Sequence, residues 1–181
     1  MKTVVNHNID FGKVAMFTDI HFGKSNHSRE HNENCIAFLK WFVKEARAAG
    51  CKTAAFLGDY NHTRGSINVT TLNYSYQGLK ILSEGFDHYI HITGNHDSYY
   101  RDRIDVHSSP YIQEFPNVYL IDCITSFGDT VFVPWLIGEE WKEISSIRQP
   151  YVFGHFEFPN FYVLFLLVKS GDFSCVYFTV S

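Results

Sequence analysis

Short apolar runs that stop at polar motifs, separated by longer amphipathic stretches, constrain this chain more than anything else in it. Segments 14–18, 53–57 and 88–93 are apolar or nearly so, and end at Asp19, at Gly58-Asp59 and at Gly94-Asn95. Each is short enough to be a buried strand. Between the first two lies 32–49, with Cys35, Ile36, Phe38, Leu39, Phe42, Val43 and Ala46 on one helical stripe and Gly50 as the C-terminal cap. Between the second and third lies 70–84, a weaker helical segment interrupted by Gly78 and ended by Gly85. This β-α-β-α-β order predicts parallel strands joined by right-handed crossovers, an α/β class (α+β under some schemes).

After residue 97 the pattern changes. Segments 117–121 and 130–133 read as short strands around Phe127-Gly128-Asp129, a hairpin or meander. Segment 139–147 reads as a short helix. Segment 151–153 reads as another strand, ending at Gly154-His155. In open α/β sheets, ligands gather beyond the carboxyl ends of strands. Asp19, Asp59, Asn95 and His155 each follow such an end, so four polar motifs converge on one edge.

Asp19 and His21 alternate across one residue and can share one side of an extended strand end. A carboxylate with an imidazole suits manganese, iron or zinc rather than calcium; the alternative is a surface loop. Asp59 has two oxygens and can bridge two cations; the alternative is a common turn. His62 either faces the same cleft or is a solvated loop histidine. In Asn95-His96-Asp97 the amide oxygen is a neutral ligand and His96 can protonate a leaving oxygen. Asp97 can orient the His96 ring. The alternative there is an Asx turn. His155 gains weight only beside the other three motifs. His7, His27, His31, His88, His91 and His107 receive no role: His27 and His31 sit in a polar, solvated segment, and His88 and His91 lie on opposite strand faces.

Other classes find no support. There is no Gly-x-x-x-x-Gly-Lys, Gly-x-Gly-x-x-Gly or Gly-x-Ser-x-Gly. A net charge of -4 with no basic stripe weakens a nucleic-acid reading. The four cysteines show no paired spacing, which predicts free thiols in a reducing compartment. Residues 1–12 hold no apolar leader, and the run 161–168 is too short to span a bilayer. The expectation is a cytoplasmic protein with no membrane partner.

Asp19-Ile-His21, Gly58-Asp59 with His62, Gly94-Asn-His-Asp97 and Gly154-His155 resemble, in order and spacing, the calcineurin-like metallophosphoesterase family. The histidine at position 62 resembles the SbcD-type DNA-repair nucleases. Val131-Phe-Val-Pro-Trp135 and Phe153-Gly-His-Phe-Glu-Phe158 are similar to the recombination endonuclease subunits of T-even-like phages.

The resemblance implies a double β-sandwich flanked by helices, with two divalent cations at its edge. Manganese is the first expectation, with iron, zinc or magnesium as alternatives. Asp19 and His21 would bind one cation, Asn95 and His155 the other, and Asp59 would bridge them. His96 would be the proton donor, with His62 contacting phosphate or the strand and Asp97 behind His96. The implied activity is that of a DNA endo- or exonuclease in recombination or repair. It would act on DNA ends or single strands, with an SbcC-type ATPase partner and a homodimeric full-length form, in the host cytoplasm if phage-encoded.

The family also carries a Gly-His-x-His motif, and nothing after His155 matches it. The expectation is therefore an N-terminal nuclease portion over 1–160 and an atypical tail over 161–181. Truncation, a frameshift near Asn160 and a naturally reduced site stay open. So do two other functions: a phosphoesterase for small phosphodiesters or phosphomonoesters, and a catalytically impaired scaffold.

Overall fold

In the computed structural model the described residues are 2–3, 9–156 and 174–178, the first and last of these as backbone only. Two sheets face each other. The larger has five strands, β2 (Lys13–Phe17), β3 (Thr53–Phe56), β4 (His88–Ile92), β5 (Val118–Ile121) and β9 (Ser174–Phe178), in the order β5-β4-β3-β2-β9. All its pairings are parallel. The smaller has β1 (Lys2–Thr3), β6 (Thr125–Phe127), β7 (Thr130–Val133) and β8 (Tyr151–Gly154), in the order β1-β6-β7-β8.

The two-residue period of the strands divides the core. Val14, Met16, Ala55, Ile90 and Ile92 point to the smaller sheet and pack with Phe127 and Phe132. Ala15, Phe17, Ala54, Phe56 and Tyr89 point the other way, against the helices. There α2 (Arg29–Ala48), which follows the four-residue α1 (Lys24–His27), presents Cys35, Ile36, Leu39, Phe42 and Ala46, and α3 (Val69–Gly85) presents Leu79 and Leu82. Helix α2 starts three residues earlier than the stripe suggested, because the Ser28 hydroxyl accepts from the His31 N–H as an N-cap. Gly50 takes a left-handed φ of 85° after its end. Helix α3 runs unbroken through Gly78. A Cβ at that position would lie 2.8 Å from Leu39 Cδ1 and 2.9 Å from Phe22 Cζ, so the glycine serves close packing of α3 on α2.

Three expectations change. Segment 118–121 is not a partner of 130–133; β5 extends the parallel sheet beside β4. Asn117 fixes it there, its amide donating to the carbonyls of Ser83 and Phe86 at 2.8 Å each. The hairpin across Gly128-Asp129 instead joins β7 to β6, a three-residue strand that the pattern did not show. The short helix expected over 139–147 is a 3-10 helix over 140–146; none of its side chains is buried, so no apolar face holds it against the core.

The expected tail, 161–181, lies outside the described residues except β9, which pairs with β2 from Lys13↔Ser174 to Phe17↔Phe178. Among the described residues no helix is long and apolar enough to cross a membrane.

Candidate active site

The loops after β2 and β3 continue side by side past the ends of their strands. Asp19 N–H donates to Gly58 O (3.0 Å), His21 N–H to Asp59 O (3.1 Å) and Phe22 N–H to Tyr60 O (2.8 Å). Along this zipped pair, Asp19, His21 and Asp59 have φ of 58°, 49° and 66°. Left-handed backbone is uncommon for residues with a Cβ, though Asp and His tolerate it better than most. Such strain gathers at functional sites. Asp19 and His21 therefore do not share a face by strand alternation, as the spacing suggested. Two left-handed residues turn them to one side.

Helix α2 holds this turn from behind. His31 Nε2 donates to His21 O at 2.9 Å, Cys35 Sγ to Ile20 O at 3.4 Å, and Gly23 N–H to Asn32 Oδ1 at 2.8 Å. Burial pushes the Cys35 thiol up to about 12, so it stays protonated and able to donate. His31 is thus not the solvated residue that its polar segment suggested. Its i, i+4 relation to Cys35 on an otherwise apolar helix face was the available signal.

Asp59 lies at the centre, its side chain only 6% exposed. Its Oδ2 is 3.7 Å from His21 Nε2, which in turn is 3.5 Å from Asp19 Oδ1. Asp19, His21 and Asp59 offer ligand atoms within 4.8 Å of one another. Asp59 Oδ1 faces the other way. It accepts the His96 backbone N–H at 3.0 Å and lies 3.6 Å from His155 Nε2. His155 arrives from β8 of the smaller sheet, its N–H donating to Val133 O at 3.0 Å. Its Nδ1 donates to Leu57 O at 2.9 Å, which leaves a lone pair on Nε2. That lone pair lies 3.0 Å from Asn95 Oδ1. Gly58 (φ 108°) makes room, since a Cβ there would strike the His155 ring.

Asp59, His155 and Asn95 thus bring acceptors together with no donor among them. Turning over the Asn95 amide would let its nitrogen donate to His155 Nε2 at 3.0 Å and to Asp59 at 3.2 and 3.3 Å. A cation satisfies the same lone pairs without the turn. The donor set, oxygen and imidazole nitrogen, fits manganese, iron or zinc.

Asp19 sits in a balance: burial raises its carboxyl pKa, but hydrogen bonds from His21 and Thr18 and the nearby His155 and His21 charges outweigh burial and lower it. The Thr18 hydroxyl donates to Asp19 Oδ2 at 2.6 Å.

Three imidazoles line the cleft beside these groups. His62 and His96 stack at 5.5 Å and 15°, and His21 meets them edge-on at 5.3 and 5.0 Å. Burial lowers the His62 pKa, with the neighbouring His21 and His96 charges adding to the drop. Among the described residues, His62 Nδ1 and His21 Nδ1 are buried without a hydrogen-bond partner.

Asp97 does not orient His96. The His96 ring donates from Nδ1 to His62 O at 2.7 Å. The Asp97 carboxylate is buried and accepts backbone N–H groups instead: Asp59 at 2.9 Å, Tyr60 at 3.0 Å, Asn61 at 3.1 Å and Gly94 at 2.9 Å. Burial raises its pKa; the Gly94, Asn61 and Tyr60 N–H groups pull the other way. Four orphan N–H donors of two adjoining loops outcompete one imidazole for this acceptor.

The calcineurin-like phosphoesterase model matches residues 12–171. No curated protein matches the chain. Among solved structures, a Pseudomonas putida nuclease MPE is similar at 21% identity and a TM-score of 0.45, over 66% of this chain and 52% of that one. The chain thus spans about half the length of that nuclease.

Proposed function

This chain belongs to the calcineurin-like phosphoesterase family, and from that membership we propose that it hydrolyses phosphodiester bonds as a nuclease, with two divalent cations held around Asp59. The observation that carries the reading is the convergence of ligand atoms on both sides of Asp59, with Asn95 Oδ1 facing the His155 Nε2 lone pair on one of them. Asp19, His21 and Asp59 Oδ2 would hold one cation, and Asp59 Oδ1, Asn95 and His155 the other. When bound, such cations polarise a phosphoryl oxygen and lower the pKa of bound water.

The protein's own groups do the rest. Asp59 sets the spacing of the two halves, and its backbone is fixed by Asp97. The His96 Nδ1–H is committed to His62 O, so in the imidazolium form the Nε2–H is the one given to the leaving oxygen, and the ring returns to neutral with Nδ1–H still bonded to His62 O. His62, kept neutral by burial, offers a hydrogen bond to a phosphoryl oxygen. Action on DNA ends or single strands, an SbcC-type ATPase partner, a homodimer and a cytoplasmic location belong to the same proposal. They rest on the histidine at position 62 and the ordered motifs.

The test is hydrolysis of bis(p-nitrophenyl) phosphate and of labelled single-stranded DNA by metal-stripped protein given manganese, iron, zinc or magnesium. Cleavage of both is expected with manganese. No cleavage of either with any of the four overturns the reading. The net charge of -4 favours one rival, a small phosphodiester or phosphomonoester as substrate. Diester turnover without DNA cleavage selects that rival.

A further inference from the structure

Arg64 stands two residues beyond His62, and its Nη1 is buried with no hydrogen-bond partner among the described residues. Its guanidinium carbon lies 5.3 Å from the Trp135 ring centroid. Trp135 is anchored beside the site, its backbone N–H donating to Thr93 O at 2.9 Å just before Gly94-Asn95-His96. A buried guanidinium donor without an acceptor is costly. Its planar fork fits a phosphate, and stacking on an indole leaves the fork edge available.

The neighbouring loop, residues 99–106, is closed by the Ser98↔His107 bridge and by Tyr99 N–H donating to Val106 O at 2.9 Å. It carries two tyrosine rings and a guanidinium in contact. Tyr99, 48% exposed, meets Tyr100 edge-on at 4.7 Å, and the Arg103 guanidinium lies 3.6 Å over the Tyr100 ring. The loop touches the Arg64 segment: a Cβ on Gly65 would lie 4.0 Å from Tyr99 Cε2. Arg103 is also paired with Asp105 at 3.2 Å, and Arg101 and Asp102 are exposed beside them, so the charges of this loop cancel and it offers the exposed Tyr99 ring and the face of Tyr100 away from Arg103.

We propose that Arg64 and the Tyr99–Tyr100–Arg103 stack form a rim that holds a single strand of nucleic acid across the cleft, Arg64 taking a backbone phosphate and the tyrosines stacking its bases. The inference rests on the nuclease reading and specifies its substrate as unpaired. Bases inside a duplex keep their faces covered, whereas exposed aromatic rings stack any unpaired base without regard to sequence. A chain of net charge -4 cannot hold a strand by a broad basic face. One half-buried arginine fork plus stacking is the alternative means, and it predicts shallow salt dependence.

The experiment is fluorescence anisotropy of a labelled oligothymidylate with the whole 181-residue chain in EDTA, where no cleavage occurs. Tyr99→Ala and Tyr100→Ala are each expected to raise Kd about tenfold, and Tyr99→Trp to keep binding. Arg64→Ala is expected to flatten the log Kd against log salt slope by roughly 0.7, one strand phosphate. Arg64→Lys, which keeps charge and loses the fork, should keep the slope and weaken binding. Circular dichroism verifies that each variant is folded.

A wild-type chain that does not bind the oligonucleotide overturns the rim. So do tyrosine variants that bind as the wild type does, or a duplex that binds as tightly as the single strand. Turnover of bis(p-nitrophenyl) phosphate by the wild type is the separate readout. Turnover without strand binding sinks the rim alone; strand binding without turnover sinks the hydrolase reading alone.

Discussion

Asp59 and Asp97 clasp each other's loops: the Asp59 N–H donates to Asp97 Oδ2 at 2.9 Å, while Asp59 Oδ1 accepts from His96, the residue before Asp97, at 3.0 Å. One aspartate holds backbone and the other lies in the cleft, so substitutions should separate them. Asp97→Asn presents an amide where four N–H groups expect oxygen. It should lose about 2–4 kcal/mol in urea denaturation of metal-free protein. His96→Gln, whose ring makes one hydrogen bond to His62 O, should lose less than about 1 kcal/mol yet abolish most diester turnover with manganese affinity intact. An Asp97→Asn protein of full stability and lost turnover would instead return Asp97 to the chemistry.

Asp59→Asn should behave in the opposite way. Asparagine accepts left-handed backbone, and the substitution removes a charge from a cluster of lone pairs. Metal-free stability should therefore change by less than about 1 kcal/mol. Manganese binding by titration calorimetry should weaken more than tenfold at both positions together, because one side chain serves both. Wild-type protein at a hundred times its Kd for manganese should gain about 2.7 kcal/mol, and the variant should gain little. Loss of one manganese only, with the second unchanged, would refute bridging.

The strand ends and their polar motifs were legible because a buried parallel strand is a short apolar run, and its loop starts where polarity returns. Gly50 was legible as a helix stop for the same local reason. What failed was set by contacts distant in sequence. Alternation suggested one face for Asp19 and His21, but pairing with the Gly58–Tyr60 backbone drives both into left-handed φ. Asp97 looked like a partner for its neighbour His96, yet its acceptors are claimed by Asp59, Tyr60 and Asn61, 36 to 38 residues away. Val118–Ile121 looked like a hairpin strand, and Asn117 docking on the end of α3 sends it to the other sheet. Arg64 carried no motif at all; only its orphaned Nη1 marks it.

Gly78→Ala should destabilise, against the usual gain of about 1 kcal/mol for Ala over Gly in a helix. The new methyl would meet Leu39 Cδ1 and the Tyr60 hydroxyl at 2.8 Å. Tyr60 is fully buried, donates to Ser75 O at 2.8 Å and adjoins Asp59. The expected loss is about 1–3 kcal/mol by thermal or urea unfolding, with weaker manganese binding as Tyr60 shifts. Gln77→Ala, on the exposed side of the same turn, should stay within about 0.5 kcal/mol. Equal effects at the two positions would mean that α3 does not pack as closely as described.

His91 supplies a pH dependence away from the cleft. It is buried among Phe56, Tyr60 and Tyr89, with Nδ1 3.2 Å from the Tyr89 hydroxyl. Burial pushes its pKa down from 6.5 to about 3, and His107 charge adds slightly. The unfolded chain therefore binds a proton between those values that the folded chain refuses. Stability should be insensitive to this group above about pH 6.5 and fall as pH drops toward 3, by up to about 1.4 kcal/mol per pH unit. His91→Leu removes the proton site. It should be less stable at pH 8, because the Tyr89 hydroxyl loses its partner, but its stability should fall less steeply between pH 6.5 and 4. Urea unfolding in EDTA across that range measures both slopes. Parallel curves for the two proteins would place the acid sensitivity elsewhere, in the cleft histidines or the half-buried His107.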